Sequence, residues 1–164
     1  MNKILIISTG GTFNKQYNPL TGNLDINSDA DAIKNILSSI KVTNYQLKTI
    51  IHKDSLDITK KDRKKLLKLI LASKYNKIII IHGTDTIDQT ASFLDKHIKN
   101  KTIILTGAMI PFSINPIEAT ANFSFACGYL LQKTKSGILI SMHGHIKNYQ
   151  KITKNRDQGI FEIS

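Results

Sequence analysis

Short apolar runs alternate with longer mixed segments along the whole chain. Lys3–Ser8, Gln46–Ile51, Lys77–Ile81, Thr102–Leu105 and Gly137–Ser141 are largely apolar, the pattern of strands buried on both faces. Between them, Asp29–Ile40 places Ala32, Ile33, Ile36, Leu37 and Ile40 at helical spacing. Thr59–Leu71 carries Leu66, Leu67, Leu69 and Ile70 behind a candidate N-cap, Thr59. Asp85–Ile98 and Pro116–Leu131 read as two further helices. Strand and helix in repeated alternation predict an α/β fold, a doubly wound, mostly parallel sheet with helices on both faces. Asn14–Ile26 breaks the pattern. It holds Asn18-Pro19 and Thr21-Gly22 without a helical period, which predicts a mobile hairpin or lid. The tail after Ser141 is polar and ends on a short apolar piece, Gly159–Ile163.

Composition narrows the class. A length of 164 residues suits one domain with a real core, and 41% hydrophobic against 21% charged residues excludes a disordered chain. No apolar run approaches the ~18–20 residues of a membrane span, so no membrane partner is expected. The apolar stretch Ile4–Ile7 is too short for a secretory leader, and a cytoplasmic protein is the expectation. The lone Cys127 excludes an internal disulfide, and its neighbours Phe123, Phe125 and Leu130 make it a core thiol. A net charge of +11 raises nucleic-acid binding. Only Arg63 and Arg156 are arginines, however, and the lysines are scattered over helix faces and loops, so no nucleic-acid partner is expected.

In open parallel sheets, ligands bind beyond the carboxyl ends of the strands. The first four predicted strands run there into Thr9-Gly10-Gly11-Thr12, Asp54-Ser55-Leu56-Asp57, His82-Gly83-Thr84-Asp85-Thr86 and Thr106-Gly107-Ala108-Met109. Each has a bland reading. Gly10-Gly11 alone is a tight turn, Thr84 to Thr86 are helix caps, and His82 is a packed strand-end histidine. Four such ends delivering hydroxyls, glycines and carboxylates to one edge point instead to a site. The glycine loops lack the spacing and the lysine of nucleotide-binding motifs. His143-Gly144-His145 has no nearby third ligand, so neither metal nor cofactor is expected.

Ser8-Thr9-Gly10-Gly11-Thr12, followed by His82-Gly83-Thr84-Asp85-Thr86 and Thr106-Gly107-Ala108-Met109, resembles the bacterial-type L-asparaginase family. Asp54-Ser55-Leu56-Asp57-Ile58-Thr59 and Thr153-Lys154-Asn155-Arg156 extend the resemblance along the whole chain. It covers the N-terminal domain of the usual two-domain enzyme, and so implies a short, single-domain form. The resemblance implies hydrolysis of the side-chain amide of L-asparagine or a related small-molecule amide. Thr12 would be the nucleophile that forms an acyl-enzyme, and Tyr17 would help to deprotonate it. Thr84, Asp85 and Lys154 would assist proton transfer, with the cation stabilising a deprotonated hydroxyl. Ser55 and Asp85 would hold the substrate's α-carboxylate and α-amino group, and backbone N–H groups near Gly11 and Thr84 would face the oxyanion. The missing second domain implies a homo-oligomer that completes the site. The alternative is a non-catalytic amino-acid-binding or interaction module that retains the pocket.

Overall fold

Successive isoleucines in the central strands turn to opposite faces, and this alternation sets the layers. The computed structural model describes residues 3–132 and 135–164. In chain order the elements are β1 (Ile4–Gly10), β2 (Lys15–Tyr17), β3 (Leu24–Ile26), α1 (Asp31–Ser39), β4 (Tyr45–Lys53), α2 (Lys60–Ala72), β5 (Lys77–Ile81), α3 (Ile87–Asp95), β6 (Thr102–Thr106), α4 (Pro116–Leu131), β7 (Gly137–Met142), β8 (His145–Asn148), β9 (Ile152–Asn155) and β10 (Ile160–Ile163). The main sheet has the order β4-β1-β5-β6-β7-β8, parallel except for the last pair. Leu5, Ile7, Ile78, Ile80, Ile103 and Leu105 face α2 and α3. Ile4, Ile6, Ile79, Ile81 and Ile104 face α1 and α4. The doubly wound parallel sheet expected from the sequence is therefore present, with helices on both faces.

The helix placement has a topological consequence. The steps β4→β5 and β5→β6 advance along the sheet through helices on one face, and β1→β4 steps back through α1 on the other, so all three share one hand. The step β6→β7 advances through α4, which lies on the α1 face, and has the opposite hand. Such crossovers are nearly always right-handed, and the exception needs a strong anchor. Here α4 is anchored by Ala119, Phe123, Ala126, Cys127 and Leu130, all buried against the sheet. Burial pushes the Cys127 thiol up to about 12, in keeping with a core position.

Local chemistry places the helix starts. Thr59 caps α2 in a reciprocal box with Asp62, as its position before the apolar stripe suggested. The Asn115 side chain caps α4 ahead of Pro116 at the first helical position. The helix expected from Asp85 begins instead at Ile87, because Thr84–Thr86 form a 3-10 turn with no side-chain cap. Asn14–Ile26 contains the hairpin β2–β3. The tail also holds structure that its polarity concealed. β8 (His145–Asn148) is an edge strand on β7, and β9–β10 form a second hairpin. Strands exposed on one side carry too little apolar periodicity to stand out.

Phe123 is fully buried between α4 and the sheet. Phe123→Ala is expected to lower the unfolding free energy by about 3–5 kcal/mol, measurable by urea denaturation, through lost burial and the cavity left beneath the reversed crossover.

Candidate active site

Three neighbouring strands, β4, β1 and β5, end in the same way. Each runs into a single 3-10 turn whose first residue carries a hydroxyl: Ser55, Thr12 and Thr84. The helix following β1 packs on one face of the sheet and the helix following β5 on the other, so a crevice opens between these two strands. The first N–H groups of each turn have no partner within it. Gly11 N–H is already committed, donating to Lys53 O at 2.9 Å. Gly11 N–H is therefore not free to donate to a ligand.

Glycine is required where the loops touch. Gly11 has φ +78°, and a Cβ there would lie 2.5 Å from both Cα and N of Gly83. A Cβ on Gly83 would lie 2.7 Å from the Cβ of Ser55. These loops are thus packed backbone to backbone. Ser55 sits inside this contact. Its hydroxyl accepts from Asp85 N–H at 3.2 Å, and its carbonyl accepts from the Thr86 hydroxyl at 2.7 Å. Thr86 therefore ties two loops together and does not cap α3.

The tail hairpin brings the charges. Lys154 on β9 donates to Thr84 Oγ1 at 2.9 Å and to Asp85 Oδ1 at 2.8 Å. With 13% of its side chain exposed, Lys154 is largely withdrawn from water, so both bonds are strengthened. Thr84 directs its own proton to Met109 Sδ at 3.3 Å, a weak acceptor. Arg156 donates to the same Asp85 Oδ1 at 2.9 Å and to Asp85 O at 2.8 Å. Thr84, Asp85, Lys154 and Arg156 also line one end of a cavity of about 630 Å³ between α3 and the tail.

The structure thus brings Gly11, Ser55, Thr84, Asp85 and Lys154 to one edge. Thr12 stands at the same edge, half-buried, between Gly11 and the buried pair Phe13 and Asn14. Asn14 Nδ2 donates to Gly10 O at 3.0 Å and to Ser8 Oγ at 3.2 Å, which holds the turn on the end of β1. Tyr17 is placed differently. It is 63% exposed on β2, opposite Leu24, and its hydroxyl has no hydrogen-bond partner among the described residues. Its hairpin is tethered at the base by Lys15, which pairs with Asp54 at 2.7 Å and accepts from Ser113 Oγ through its carbonyl at 2.8 Å.

His82 is the packed strand-end histidine expected from the sequence, and residues given no role there, Thr90, Glu118 and Asn122, join it in supporting this edge. His82 is fully buried, and burial lowers its pKa to about 4, so the ring is neutral. Nδ1 lies 2.7 Å from Gly83 O and must carry the proton, which leaves Nε2 to accept from the Thr90 hydroxyl at 2.8 Å. Thr90 in turn accepts from Arg63 Nε at 3.0 Å. A chain of hydrogen bonds from α2 through α3 therefore ends on the Gly83 carbonyl. On the other face, Glu118 accepts from Met109 N–H at 2.9 Å, Ile110 N–H at 3.0 Å and His143 Nε2 at 3.1 Å. His143 Nδ1 accepts from Phe161 N–H at 3.2 Å, linking the tail hairpin to this support. Asn122 donates to Gly107 O at 3.0 Å and accepts from His143 N–H at 2.9 Å. A signal for Glu118 was present in the sequence, since it is the only charged residue of an apolar helix.

Two outcomes follow from this packing. Gly11→Ala is expected to force the loops apart, with a stability cost of about 1–3 kcal/mol from the strained φ, read by urea denaturation. His82 takes up no proton in the folded state until the pH nears 4, whereas the unfolded side chain does so from 6.5. Stability is therefore lost as the pH falls through that window. The His82 contribution should amount to about 2 kcal/mol between pH 7 and pH 5 in urea denaturation, and His82→Gln should remove it.

Residues 3–161 match the family described as "Asparaginase, N-terminal". The chain is 29% identical to the "Probable L-asparaginase periplasmic" of Haemophilus influenzae over 92% of its own length and 46% of that protein's. It is 26% identical to "L-asparaginase 2" of Escherichia coli over 92% of its length and 46% of that protein. Among solved structures, the thermostable L-asparaginase from Thermococcus kodakarensis superposes with a TM-score of 0.83 at 26% identity, covering 98% of this chain and 51% of that one. The probable cytoplasmic L-asparaginase from Campylobacter jejuni gives 0.84 at 25% identity, covering 99% and 53%. The chain spans about half the length of the relatives it matches. With the fold, the threonine loops and the family match in agreement, this chain belongs to the asparaginase family.

Proposed function

We propose that this protein is an amidohydrolase that converts the side-chain amide of L-asparagine, or of a closely related amide, to a carboxylate and ammonia. The observation that carries this reading is the Lys154 ammonium, which bonds Thr84 Oγ1 and Asp85 Oδ1 together beside the Thr12 turn. A threonine hydroxyl is a poor acid and a poor base. A mostly buried cation bonded to its oxygen lowers the cost of its deprotonated form, and the weak bond to Met109 Sδ leaves its proton available for transfer.

In this reading Thr12 attacks the amide carbon and forms an acyl-enzyme. Ammonia leaves with a proton delivered through Thr84, and water then attacks the ester with Thr84 assisting. Ser55 and Asp85 position the rest of the substrate, and N–H groups at the starts of the 3-10 turns face the oxyanion. Tyr17 assists Thr12 once the hairpin closes over the crevice. The family membership and the named relatives support this assignment. The exposed position of Tyr17 favours a second reading, in which the crevice binds an amino acid without turnover.

Ammonia release from L-asparagine, L-glutamine and small amides separates the two. Thr12→Ala is expected to abolish release, and Lys154→Met to lower kcat/KM by about 10²–10⁴-fold, the range of general acid–base assistance. Saturable L-aspartate binding by calorimetry with no ammonia from any amide would overturn the enzymatic reading in favour of the binding module.

A further inference from the structure

We propose that Arg156 is a specificity-determining residue that turns the site toward acidic amides lacking a free α-ammonium group. The inference rests on the amidase reading for its choice of substrates, and on the charges of the site for its direction.

Asp85 is the carboxylate at this edge to which a cationic part of a substrate would bind. Its Oδ1 already accepts from two cations, Lys154 at 2.8 Å and Arg156 at 2.9 Å. Lys154 is explained by its second bond, to Thr84. Arg156 has no such duty. It grips only Asp85, through the carboxylate and the main-chain carbonyl together, and 59% of its side chain remains exposed at the mouth of the cluster. The two other charged residues lining the adjoining cavity, Asp88 on α3 and Lys96 just past its end, cancel each other. The lining therefore carries three cations, Lys96, Lys154 and Arg156, against two carboxylates, Asp85 and Asp88. Asp54, another carboxylate of the strand-end loops, is taken by Lys15 at 2.7 Å.

A ligand ammonium at Asp85 would sit against two fixed cations within a few ångströms. A ligand carboxylate would gain from the same field, and the Arg156 N–H groups not bonded to Asp85 can donate to it. The charge balance thus disfavours the zwitterion L-asparagine relative to its desamino analogue, succinamic acid. An acylated α-nitrogen is equally neutral, and the cavity of about 630 Å³ beside the cluster gives an acyl group room.

The test compares kcat/KM for ammonia release from L-asparagine, succinamic acid and N-acetyl-L-asparagine in the wild-type chain, Arg156→Gln and Arg156→Lys. Because Arg156 is exposed, neither variant is expected to unfold, which a thermal melt checks. Arg156→Gln should shift the succinamate-to-asparagine ratio toward asparagine by about tenfold, equivalent to about 1.4 kcal/mol, and Arg156→Lys should stay within about threefold of wild type. A shift under about threefold in Arg156→Gln, or an equal shift in both variants, overturns the proposal. Calorimetric Kd values for succinate and L-aspartate read the same discrimination without turnover. Absence of ammonia from every amide would therefore sink the amidase reading and still leave the Arg156 ratio to be decided. Failure of both dicarboxylates to bind would overturn both.

Discussion

Gly11 and Gly83 meet backbone to backbone at the carboxyl edge of the sheet, closer than a side chain on Gly11 would permit. Much of the site depends on this contact. It lets the turns of β1 and β5 share one crevice, and it presses Ser55 from β4 into the same place. The turns that follow three strands then meet in one small region although Thr12 and Thr84 lie 72 positions apart in sequence. Strand spacing in a parallel sheet is fixed by main-chain hydrogen bonding, so neighbouring strand ends can be brought no nearer by moving the strands. Only the loops can close the gap, and glycine allows them to.

Support for that contact comes from below and from both sides. The bulk of the core is a layer of isoleucines that holds the strands in register. Above it lies a polar layer in which main-chain groups of the strand-end loops have fixed partners. The neutral ring of His82 holds the Gly83 carbonyl, and Glu118 holds the amides of Met109 and Ile110. Burying such groups without partners would cost several kcal/mol, so their pairing is a condition for a rigid rim. The reversed hand of the crossover through α4 gains a purpose in this setting. It places Glu118 and Asn122 under the loop after β6 and beside the turn at His143.

The positive charge is distributed in the same spirit. Several lysines are spent on main-chain carbonyls away from the crevice. Lys77 donates to Leu130 O and Gln132 O, and Lys101 to Ser73 O and Tyr75 O. These bonds close helix ends and loops at the opposite end of the sheet. At the crevice, by contrast, Lys154 and Arg156 converge on a single carboxylate oxygen. The high net charge is therefore no single surface feature. Some of its cations close the scaffold, and two converge on the site.

The sequence by itself determined the layers and the location of the chemistry. Continuous apolar runs such as Lys77–Ile81 can only be buried strands, and helical spacing in Asp29–Ile40 and Thr59–Leu71 can only serve a sheet they cover. Hydroxyl and glycine loops after those strands then had to gather at one edge. Tertiary structure alone decided how the loops touch, because contacts between Gly11 and Gly83 or between His82 and Thr90 depend on strand order and leave no periodic trace. It also decided the roles of the polar tail. The family resemblance grouped Lys154 with Asp85, but nothing in the spacing indicates that Arg156 shares that carboxylate, which lies about seventy positions away. Such a pairing is set by the fold of β9 and β10, whose exposed, weakly patterned strands are the elements least visible in a sequence.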